Sequence, residues 1–246
     1  MIRVGVIGAQ GKMGSQACRA VQAADDLELA AQVDMDDDLV ALTGADVAVD
    51  FTHPGAVMDN IAWCVSHGVS VVAGTSGFTE DRLATVKSQL AEAPDVGVIV
   101  VPNFSVGAVL MMRFAAEAAR FYESVEIIEL HHPTKADAPS GTARRTAELI
   151  AAARSEAGTG PIPDATVDQV DGARGATIEG IAVHSLRIRG LVAHQEVILG
   201  SAGDILTVRH DSLDRESFMP GVLAAVRAVV RTPGLTVGLE SALGLA

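Results

Sequence analysis

The stretch of residues 129–143 holds two adjacent histidines, a lysine and a Ser-Gly-Thr turn. Such side chains can transfer protons and bind anions, because imidazole and ammonium groups carry exchangeable protons. The preceding apolar run, residues 125–130, is typical of a strand, while Pro133 and Pro139 disfavour helix until a helical pattern begins at Thr142. We therefore predict that the reacting groups lie on a loop between a strand and a helix.

An anion site is predicted at the start of that helix. Ser140, Gly141 and Thr142 occupy its first turn, where unpaired N–H groups and the helix dipole attract negative charge. Lys135 adds a full positive charge nearby. The same residues are equally compatible with a structural role, in which paired histidines face opposite sides of a strand and Pro-Ser-Gly-Thr caps a helix.

The amino terminus has the order strand, glycine turn, helix. Residues 2–7 form a β-branched run, glycines follow at Gly8, Gly11 and Gly14, and residues 15–24 have a helical pattern. The spacing is G-x-x-G-x-x-G rather than G-x-G-x-x-G, so the glycines alone are weak evidence. Their expected role is to let backbone N–H groups approach a dinucleotide pyrophosphate without interference from a Cβ atom.

A second strand, residues 27–33, leads directly into Asp34, twenty residues after Gly14. This position is typical of the carboxylate that binds a nucleotide ribose. The alternative is that Asp34 merely begins the acidic loop of residues 34–38. Lys12 is a candidate for the cofactor phosphates, although a solvated lysine is equally ordinary there.

Strands and helices alternate through the rest of this half, which predicts a parallel sheet with right-handed crossovers. The predicted strands are residues 47–50, 69–73 and 96–101, and the predicted helices are residues 54–67 and 79–92. The fold class is therefore α/β, with a Rossmann-type nucleotide domain. Small residues after the strand ends leave room for a ligand at the carboxyl edge of the sheet.

The second half of the chain predicts a smaller α+β domain. We predict helices at residues 107–122, 142–156 and 216–230, and strands at residues 125–130, 183–189, 192–199 and 205–210. Glycine-containing turns between the last three strands predict antiparallel pairing. Residues 158–180 are rich in Gly, Pro, Asp and Thr, which predicts an irregular segment that can serve as a lid. Pro233 and Gly234 end the last helix before a short tail.

Composition excludes several classes of partner. The 246 residues are 49% hydrophobic and carry a net charge of −13, which disfavours nucleic acid and acidic membranes. With no signal peptide and no apolar span of membrane length, Cys18 and Cys64 are expected to be reduced thiols in a cytoplasmic protein. No metal site is predicted, because no His-x-x-x-His spacing occurs in the sequence and the adjacent His131 and His132 cannot easily point the same way from a strand. The strand residues His184, His194 and His210 are expected to make structural hydrogen bonds.

Residues 129–143 resemble the signature E-L-H-H-x-x-K-x-D-x-P-S-G-T-A of the dihydrodipicolinate reductase family, whose members are pyridine-nucleotide enzymes of diaminopimelate and lysine biosynthesis. Every fixed position of the signature is matched. Residues 74–78 resemble the family's G-T-[ST]-G-F loop, and residues 102–104 its P-N-F loop. The resemblance thus covers nearly the whole chain.

The resemblance implies NADH- or NADPH-dependent reduction of 4-hydroxy-2,3,4,5-tetrahydrodipicolinate to 2,3,4,5-tetrahydrodipicolinate. It implies acid/base roles for His131 and Lys135, and substrate binding by His132, Ser140, Gly141 and Thr142. A planar dicarboxylate such as pyridine-2,6-dicarboxylate is an expected inhibitor. The implied cofactor residues are Gly8, Ala9, Gln10, Gly11, Lys12, Met13, Gly74, Thr75, Ser76, Val101, Pro102, Asn103 and Phe104, together with Asp34.

By the same resemblance, residues 1–105 and 216–246 form the dinucleotide domain, and residues 106–215 form a substrate and oligomerisation domain of a homotetramer. Many relatives place an arginine after the acidic ribose ligand, where this chain has Met35, so NADPH preference is not implied. Two rivals remain. One is another small-acid dehydrogenase, of a non-acylating type because no catalytic-cysteine motif occurs, and the other is a nucleotide-sensing binding protein, against which His131, His132 and Lys135 argue.

Overall fold

The chain forms two compact units in a computed structural model that describes residues 1–245. One unit comprises Met1–Val106 and the residues from Arg215 onward, and the other comprises Gly107–Asp214. The strands are β1 Ile2–Ile7, β2 Leu27–Val33, β3 Val47–Asp50, β4 Ser70–Ala73, β5 Gly97–Val100, β6 Ser124–His131, β7 Ala176–Ile178, β8 Ile181–Arg187, β9 Ala193–Ser201, β10 Asp204–Ser212 and β11 Gly234–Val237. The helices are α1 Lys12–Gln22, α2 Val57–Ser66, α3 Glu80–Ala91, α4 Val106–Ala118, α5 Gly141–Glu156 and α6 Met219–Val229.

The first unit contains a parallel sheet with the strand order β11-β5-β4-β3-β1-β2. Every residue of the central strands β3, β4 and β5 is buried, as expected where helices cover both faces of a parallel sheet. The chain runs from β1 to β2 on one side and returns to β3 on the other. This reversal creates a topological switch point, where α/β proteins bind ligands. The predicted Rossmann-type fold is confirmed.

Close packing in this unit depends on glycine at two strand and helix positions. A Cβ atom at Gly97 would lie 2.5 Å from the carbonyl oxygen of Thr232, and one at Gly221 would lie 2.0 Å from that of Phe104. The close approach of the α6 region to β5 and to Phe104 is therefore possible only because Gly97 and Gly221 have no side chains. Valine, leucine and isoleucine fill most of the core on the face of the sheet that α2 and α3 cover.

The second unit contains a mixed sheet with the order β10-β9-β6-β8-β7. The predicted antiparallel pairing of β9 with β10 is confirmed, but the pairing predicted between β8 and β9 is wrong. β6 lies between them, parallel to β8 and antiparallel to β9. Its buried residues Val125, Ile127 and Glu129 alternate along the strand, so one face of β6 is covered.

Two short strands lie where the sequence predicts none. β7 forms inside the segment predicted to be irregular and pairs antiparallel with β8, and β11 forms in the predicted tail and pairs with β5. Both are edge strands of three or four residues. Their hydrogen bonds come from a neighbouring strand rather than from their own sequence pattern, so periodicity does not reveal them.

Helix boundaries also differ from the predictions at several ends. α1 begins at Lys12 rather than residue 15, directly after the glycine turn, and α4 ends at Ala118 rather than residue 122. Residues before α6 form a 3-10 turn, Arg215–Phe218, and two further 3-10 turns are Leu39–Leu42 and Ser241–Leu243. Such single turns are too short for a hydrophobic period to be recognised.

Arg154 ties helix ends together in the second unit. Its guanidinium group is buried and donates to four carbonyl oxygens, those of Ala119, Tyr122, Glu123 and Gly160. These carbonyls follow the ends of α4 and α5, where a helix leaves its last carbonyl groups without partners inside the helix. A single charged side chain thereby satisfies four backbone acceptors, including that of the buried Ala119.

Candidate active site

The glycine turn after β1 is shaped for close approach of a ligand. Gly8 has φ +79°, and a Cβ atom there would lie 3.0 Å from the Phe51 carbonyl oxygen. A Cβ atom at Gly14 would lie 2.0 Å from the carbonyl oxygen of Gly8 itself. Both glycines are therefore required, one by conformation and one by the packing of α1 against the turn.

Asp34 lies beside this turn. Its carboxylate accepts hydrogen bonds from the N–H groups of Gln10, at 2.8 Å, and Met35, at 2.9 Å. The hydrogen bond from Gln10, followed by that from Met35, holds the pKa of Asp34 below its usual value. A fixed, ionised carboxylate therefore stands at the end of β2, next to the amino terminus of α1.

Asp50 is a buried carboxylate that the sequence reading missed. It is fully buried at the end of β3, and its two oxygens accept from the hydroxyl of Thr52 at 2.7 Å, the amide of Asn60 at 2.7 Å and the hydroxyl of Thr75 at 3.1 Å. The exit loops of β3 and β4 are thus fastened to α2. An aspartate that ends an otherwise apolar strand was the available signal.

Two aromatic rings lie close together at the carboxyl edge of the parallel sheet. The rings of Phe51 and Phe104 meet edge to face, with centroids 5.5 Å apart. A Cβ atom at Gly74 would lie 2.5 Å from one ring and 2.6 Å from the other. The predicted cofactor loops that contain Gly8, Gly74 and Phe104 therefore lie together at the carboxyl edge.

These residues fit a dinucleotide. Gly11 is the N-cap of α1 and provides no side-chain cap, and no acidic residue lies in the first helical turn. Gln10, Gly11 and Lys12 are exposed, so the backbone at the amino terminus of α1 is accessible to a pyrophosphate. Asp34 supplies the carboxylate suited to a ribose hydroxyl.

In the second unit, strand alternation places His131 beside Glu129 on the helix-covered face of β6. The His131 Nδ1 and Glu129 Oε2 atoms are 2.5 Å apart. Arg187 donates to both oxygens of Glu129, at 2.8 Å each, and the Ser140 N–H donates to Oε1 at 3.1 Å. Glu129 is fully buried and therefore depends on these donors.

The buried groups shift each other's protonation. Burial raises the pKa of the Glu129 carboxyl, but hydrogen bonds from Arg187, Ser185 and His131 outweigh it, and the pKa lies below its usual value. Burial lowers the pKa of the His131 ring, and the nearby Glu129 charge only partly opposes this effect. His131 is consequently neutral over more of the pH range than an exposed histidine.

Lys135 is held by an acidic neighbour. Its Nζ atom lies 2.7 Å from Oδ1 of Asp137, and its backbone N–H donates to the His132 carbonyl at 3.2 Å. The bond from Lys135 is the main reason that the pKa of Asp137 is lowered, and the Gly141 N–H also contributes. The Asp137 carboxylate thus occupies a position between an ammonium group and a helix amino terminus, both of which attract anions.

The amino terminus of α5 has the expected form. Ser140 is the N-cap, and its hydroxyl accepts from the Ala143 N–H at 3.1 Å. A Cβ atom at Gly141 would meet nothing within 4 Å, so open space adjoins the first turn. That turn contains Thr142 and no acidic residue. His132 lies past the end of β6, where its Nδ1 is 2.8 Å from the Thr134 hydroxyl oxygen.

The sequence reading missed Glu129 and Arg187 as members of this site. The structure links His131 and Ser140 through Glu129, and Lys135 and Gly141 through Asp137. Glu129 could have been recognised as a charged residue at an inward-facing position of an otherwise apolar strand. Arg187 could not be found, because it pairs across strands 58 residues apart.

The remaining histidines and cysteines lie outside this arrangement. The predicted structural hydrogen bonds are confirmed for His184, whose Nε2 is 2.8 Å from Glu126, and for His194, whose Nδ1 is 2.6 Å from Asp211. Cys18 and Cys64 are free and buried, and burial raises the pKa of the Cys64 thiol to about 12. Within residues 1–245, no cluster of three metal-binding side chains occurs, and no helix has the length and apolar character needed to cross a membrane.

A Rossmann-type unit with a dinucleotide cradle and a second unit bearing histidine, lysine and a helix amino terminus define a pyridine-nucleotide-dependent oxidoreductase. Residues 2–104 match the family model described as dihydrodipicolinate reductase, N-terminus, and residues 107–243 match that described as dihydrodipicolinate reductase, C-terminus. The chain belongs to the dihydrodipicolinate reductase family.

Individual relatives agree with this assignment. The chain is 61% identical over 245 residues to the 4-hydroxy-tetrahydrodipicolinate reductase of Cutibacterium acnes, with 100% of each chain covered, and 61% identical over 246 residues to that of Thermobifida fusca, again with 100% coverage. A dipicolinate-bound dihydrodipicolinate reductase from Paenisporosarcina sp. TG-14 superposes with a TM-score of 0.87 at 39% identity, covering 98% of this chain and 99% of that one. A probable dehydrogenase from Thermotoga maritima, at 13% identity and a TM-score of 0.61 over 99% and 93% of the two chains, shares the fold.

Proposed function

We propose that the protein reduces 4-hydroxy-2,3,4,5-tetrahydrodipicolinate to 2,3,4,5-tetrahydrodipicolinate in diaminopimelate and lysine biosynthesis. Overall, a hydride and a proton are consumed, the hydride is added at C4, and the C4 hydroxyl leaves as water. The observation that carries the proposal is the loop of residues 131–142, which combines proton-transfer groups with an anion-binding helix terminus in a chain matched to the family along its length.

The cofactor is a nicotinamide dinucleotide, which supplies the hydride when bound. In our proposal, the turn of residues 8–13 holds the pyrophosphate, because residues 10–12 are exposed at the amino terminus of α1. Asp34 accepts hydrogen bonds from the adenosine ribose, and the loops of residues 74–76 and 101–104 adjoin the rest of the cofactor. Asp50 fastens the first of these loops through Thr75.

We propose that NADH is accepted at least as well as NADPH. A carboxylate at Asp34 binds a ribose hydroxyl but repels a 2′-phosphate. The following side chain is Met35, which is 89% exposed and carries no charge to attract a phosphate. Lys12 at the first position of α1 can neutralise part of a phosphate charge, so use of both cofactors is compatible with the proposal.

The substrate is a dianion, and the second unit offers donors for it. We propose that Lys135, Gly141 and Thr142 bind one carboxylate, with Ser140 shaping the helix terminus and His132 contacting the substrate. Substrate then replaces Asp137 as the partner of Lys135. His131 and Lys135 supply and accept protons. Pyridine-2,6-dicarboxylate, the dipicolinate bound to the Paenisporosarcina relative, is the expected inhibitor competing with substrate.

We further propose a cytoplasmic homotetramer that binds neither nucleic acid nor membranes. The net charge of −13 disfavours polyanionic partners. The edge strand β10 exposes Ile205 by 73% and Leu206 by 36%, which is unusual for a strand edge in contact only with water. Burial of this edge against another subunit would remove that exposure.

A coupled assay tests the proposed activity. Dihydrodipicolinate synthase generates the substrate in the cuvette, and nicotinamide absorbance is followed after this protein is added. Substrate-dependent oxidation of the reduced cofactor is the expected result. A protein that binds cofactor without turnover would be a sensor, and turnover only with other small acids would place it among other dehydrogenases. Either outcome would contradict the proposal.

A further inference from the structure

The side chain of Glu129 is the most completely enclosed charged group of the second unit that lies beside a proposed reacting residue. It is fully buried, whereas the His131 side chain next to it is 13% exposed. Arg187 donates to both of its oxygens and also to the Asp137 carbonyl at 2.7 Å. A carboxylate in this position has no contact with bulk water, so only the neighbouring donor groups stabilise its negative charge.

We propose that Glu129 is a positioning residue which, together with Arg187, fixes the orientation and tautomer of His131 for proton transfer. The proposal rests on the proposed function, since it gives a role to a residue that acts through His131. It assigns to Arg187 the task of keeping Glu129 ionised. Neither residue needs to touch the substrate in this account.

The pleat of the sheet explains how Glu129 and Arg187 come to lie beside His131. Glu129 and His131 are two positions apart on β6 and therefore share a face. On the neighbouring parallel strand, Arg187 is the register partner of His131. Its guanidinium group reaches back across the strand pair to the carboxylate, as a diagonal neighbour can.

The ionised carboxylate determines the tautomer. Glu129 can only accept hydrogen bonds when it is ionised, so the neighbouring ring must donate its Nδ1–H to Oε2. In the neutral ring the proton then resides on Nδ1, and Nε2 carries the lone pair. Nε2 is thereby left as the ring atom that exchanges protons with a ligand.

The charges around the ring act in opposite directions on its pKa. Burial lowers the pKa of His131, the carboxylate of Glu129 raises it, and the positive charges of Lys135 and Arg187 lower it. Asp137 lies next to both of these cations. Removal of the Glu129 charge must therefore move the pKa of His131 further down, and removal of the Arg187 charge must move it up.

The chain provides a matched control on the same strand. Glu126 faces the other side of β6 and is also paired with a histidine and an arginine, His184 at 2.8 Å and Arg174. Its side chain is 32% exposed, and its ion pairs lie outside the proposed site. Glu126→Gln therefore repeats the chemical change of Glu129→Gln at a position without the proposed role.

The test reads the ring directly, without reference to turnover. Long-range ¹H–¹⁵N spectra of histidine-labelled protein report the tautomer and pKa of each ring, and the His131→Asn variant identifies the relevant signals. We expect the Nδ1–H tautomer for wild type and for Glu126→Gln. In Glu129→Gln we expect a lower pKa, and in Arg187→Gln a higher one. If the glutamine variant of Glu129 fails to fold, Arg187→Gln decides the test through the pKa of His131.

Kinetics provide the second readout. We expect kcat of Glu129→Gln to fall by roughly 10- to 100-fold, a part of the 10²- to 10⁴-fold that positioned proton transfer contributes. The Michaelis constant for NADH should be unchanged, and the rate profile should shift to lower pH with the His131 pKa. An unchanged His131 pKa and pH profile in both Glu129→Gln and Arg187→Gln would overturn the proposal, even if their stability were reduced. Absence of turnover in wild type would refute the proposed function instead, while the spectra would still decide the role of Glu129.

Discussion

At the residue scale, the proposed chemistry depends on proton-transfer groups that are paired with carboxylates before any ligand binds. Lys135 is held by Asp137, and His131 is held by Glu129. These carboxylates keep the proton-transfer groups in fixed positions, and the exposed one can be exchanged for a substrate carboxylate. Asp137 is 55% exposed, whereas Glu129 is fully buried. We therefore assign binding to the first pair and orientation to the second.

Replacement of Lys135 by alanine should lower kcat roughly 10²- to 10⁴-fold, the range for a lost positioned proton transfer. NADH affinity, measured by isothermal titration, should remain near wild type, because Lys135 belongs to the second unit. Lys87→Ala, an exposed lysine on α3, is the control and should leave both quantities unchanged. Lys135→Arg keeps the charge but hardly releases a proton. If it restores KM but not kcat, Lys135 acts as an acid; recovery of both would reduce its role to charge recognition.

Cofactor preference is a second property of single residues. We expect titration calorimetry to show NADH bound at least as tightly as NADPH, because a charge-assisted hydrogen bond to Asp34 contributes roughly 1.5 to 3 kcal/mol. Met35→Arg should shift the preference toward NADPH, whereas Met35→Gln, which adds no charge, should not. Wild-type protein that binds NADPH more than tenfold tighter than NADH would contradict this assignment.

The sequence revealed the residues whose chemistry is visible from their type and position, such as His131, Lys135 and Asp34. It did not reveal those whose role depends on burial or on a distant partner. The role of Asp50 depends on the hydrogen bonds that its carboxylate accepts from Asn60 and from two threonines in separate loops. Contacts of this kind are set by tertiary packing, which a linear pattern does not contain.

At the element scale, the predicted helices and the longer strands were largely found, because each carries its own hydrophobic period. Strand neighbours were harder to predict. The insertion of β6 between β8 and β9 pairs strands that are distant in sequence, which the hydrophobic period of each strand does not encode. The edge strands β7 and β11 escaped prediction because they depend on hydrogen bonds from their neighbours.

Arg154 gives a test of how helix ends are held. Arg154→Ala removes the donors of four backbone carbonyl oxygens, of which that of Ala119 belongs to a buried residue, and an unsatisfied buried group costs roughly 1 to 3 kcal/mol. We expect the free energy of unfolding, measured with urea, to fall by roughly 1 to 3 kcal/mol. Arg145→Ala on the same helix is the control, since its side chain is 59% exposed and paired only with Glu148, and should change stability by less than about 0.5 kcal/mol. Equal effects of the two substitutions would refute this role.

At the scale of the whole molecule, the two units divide the work. The parallel sheet with its glycine turn provides the proposed cofactor site, and the mixed sheet with α5 provides the proposed substrate site. Although the chain has a net charge of −13, Lys135 and a helix amino terminus provide a local positive potential. Binding of a small dianion therefore needs no overall basic character.

Assembly is the second property at this scale. We expect light scattering to give a mass about four times the 25.4 kDa of one chain. Ile205→Glu should yield smaller species, because it places a charge on the exposed apolar edge of β10. Val237→Glu is the control, since it alters a comparably placed residue, 52% exposed, on edge strand β11 of the other sheet. A wild-type monomer, or equal dissociation by both substitutions, would contradict an interface at β10.

The central claim is that this chain transfers hydride to C4 of its cyclic dicarboxylate substrate. It is tested most directly with NADH carrying deuterium at both C4 positions of the nicotinamide, in the coupled assay with the synthase. The account predicts a tetrahydrodipicolinate product with one deuterium, located at C4 by mass spectrometry and NMR. Cofactor oxidation that yields unlabelled product, or label at another carbon, would contradict it.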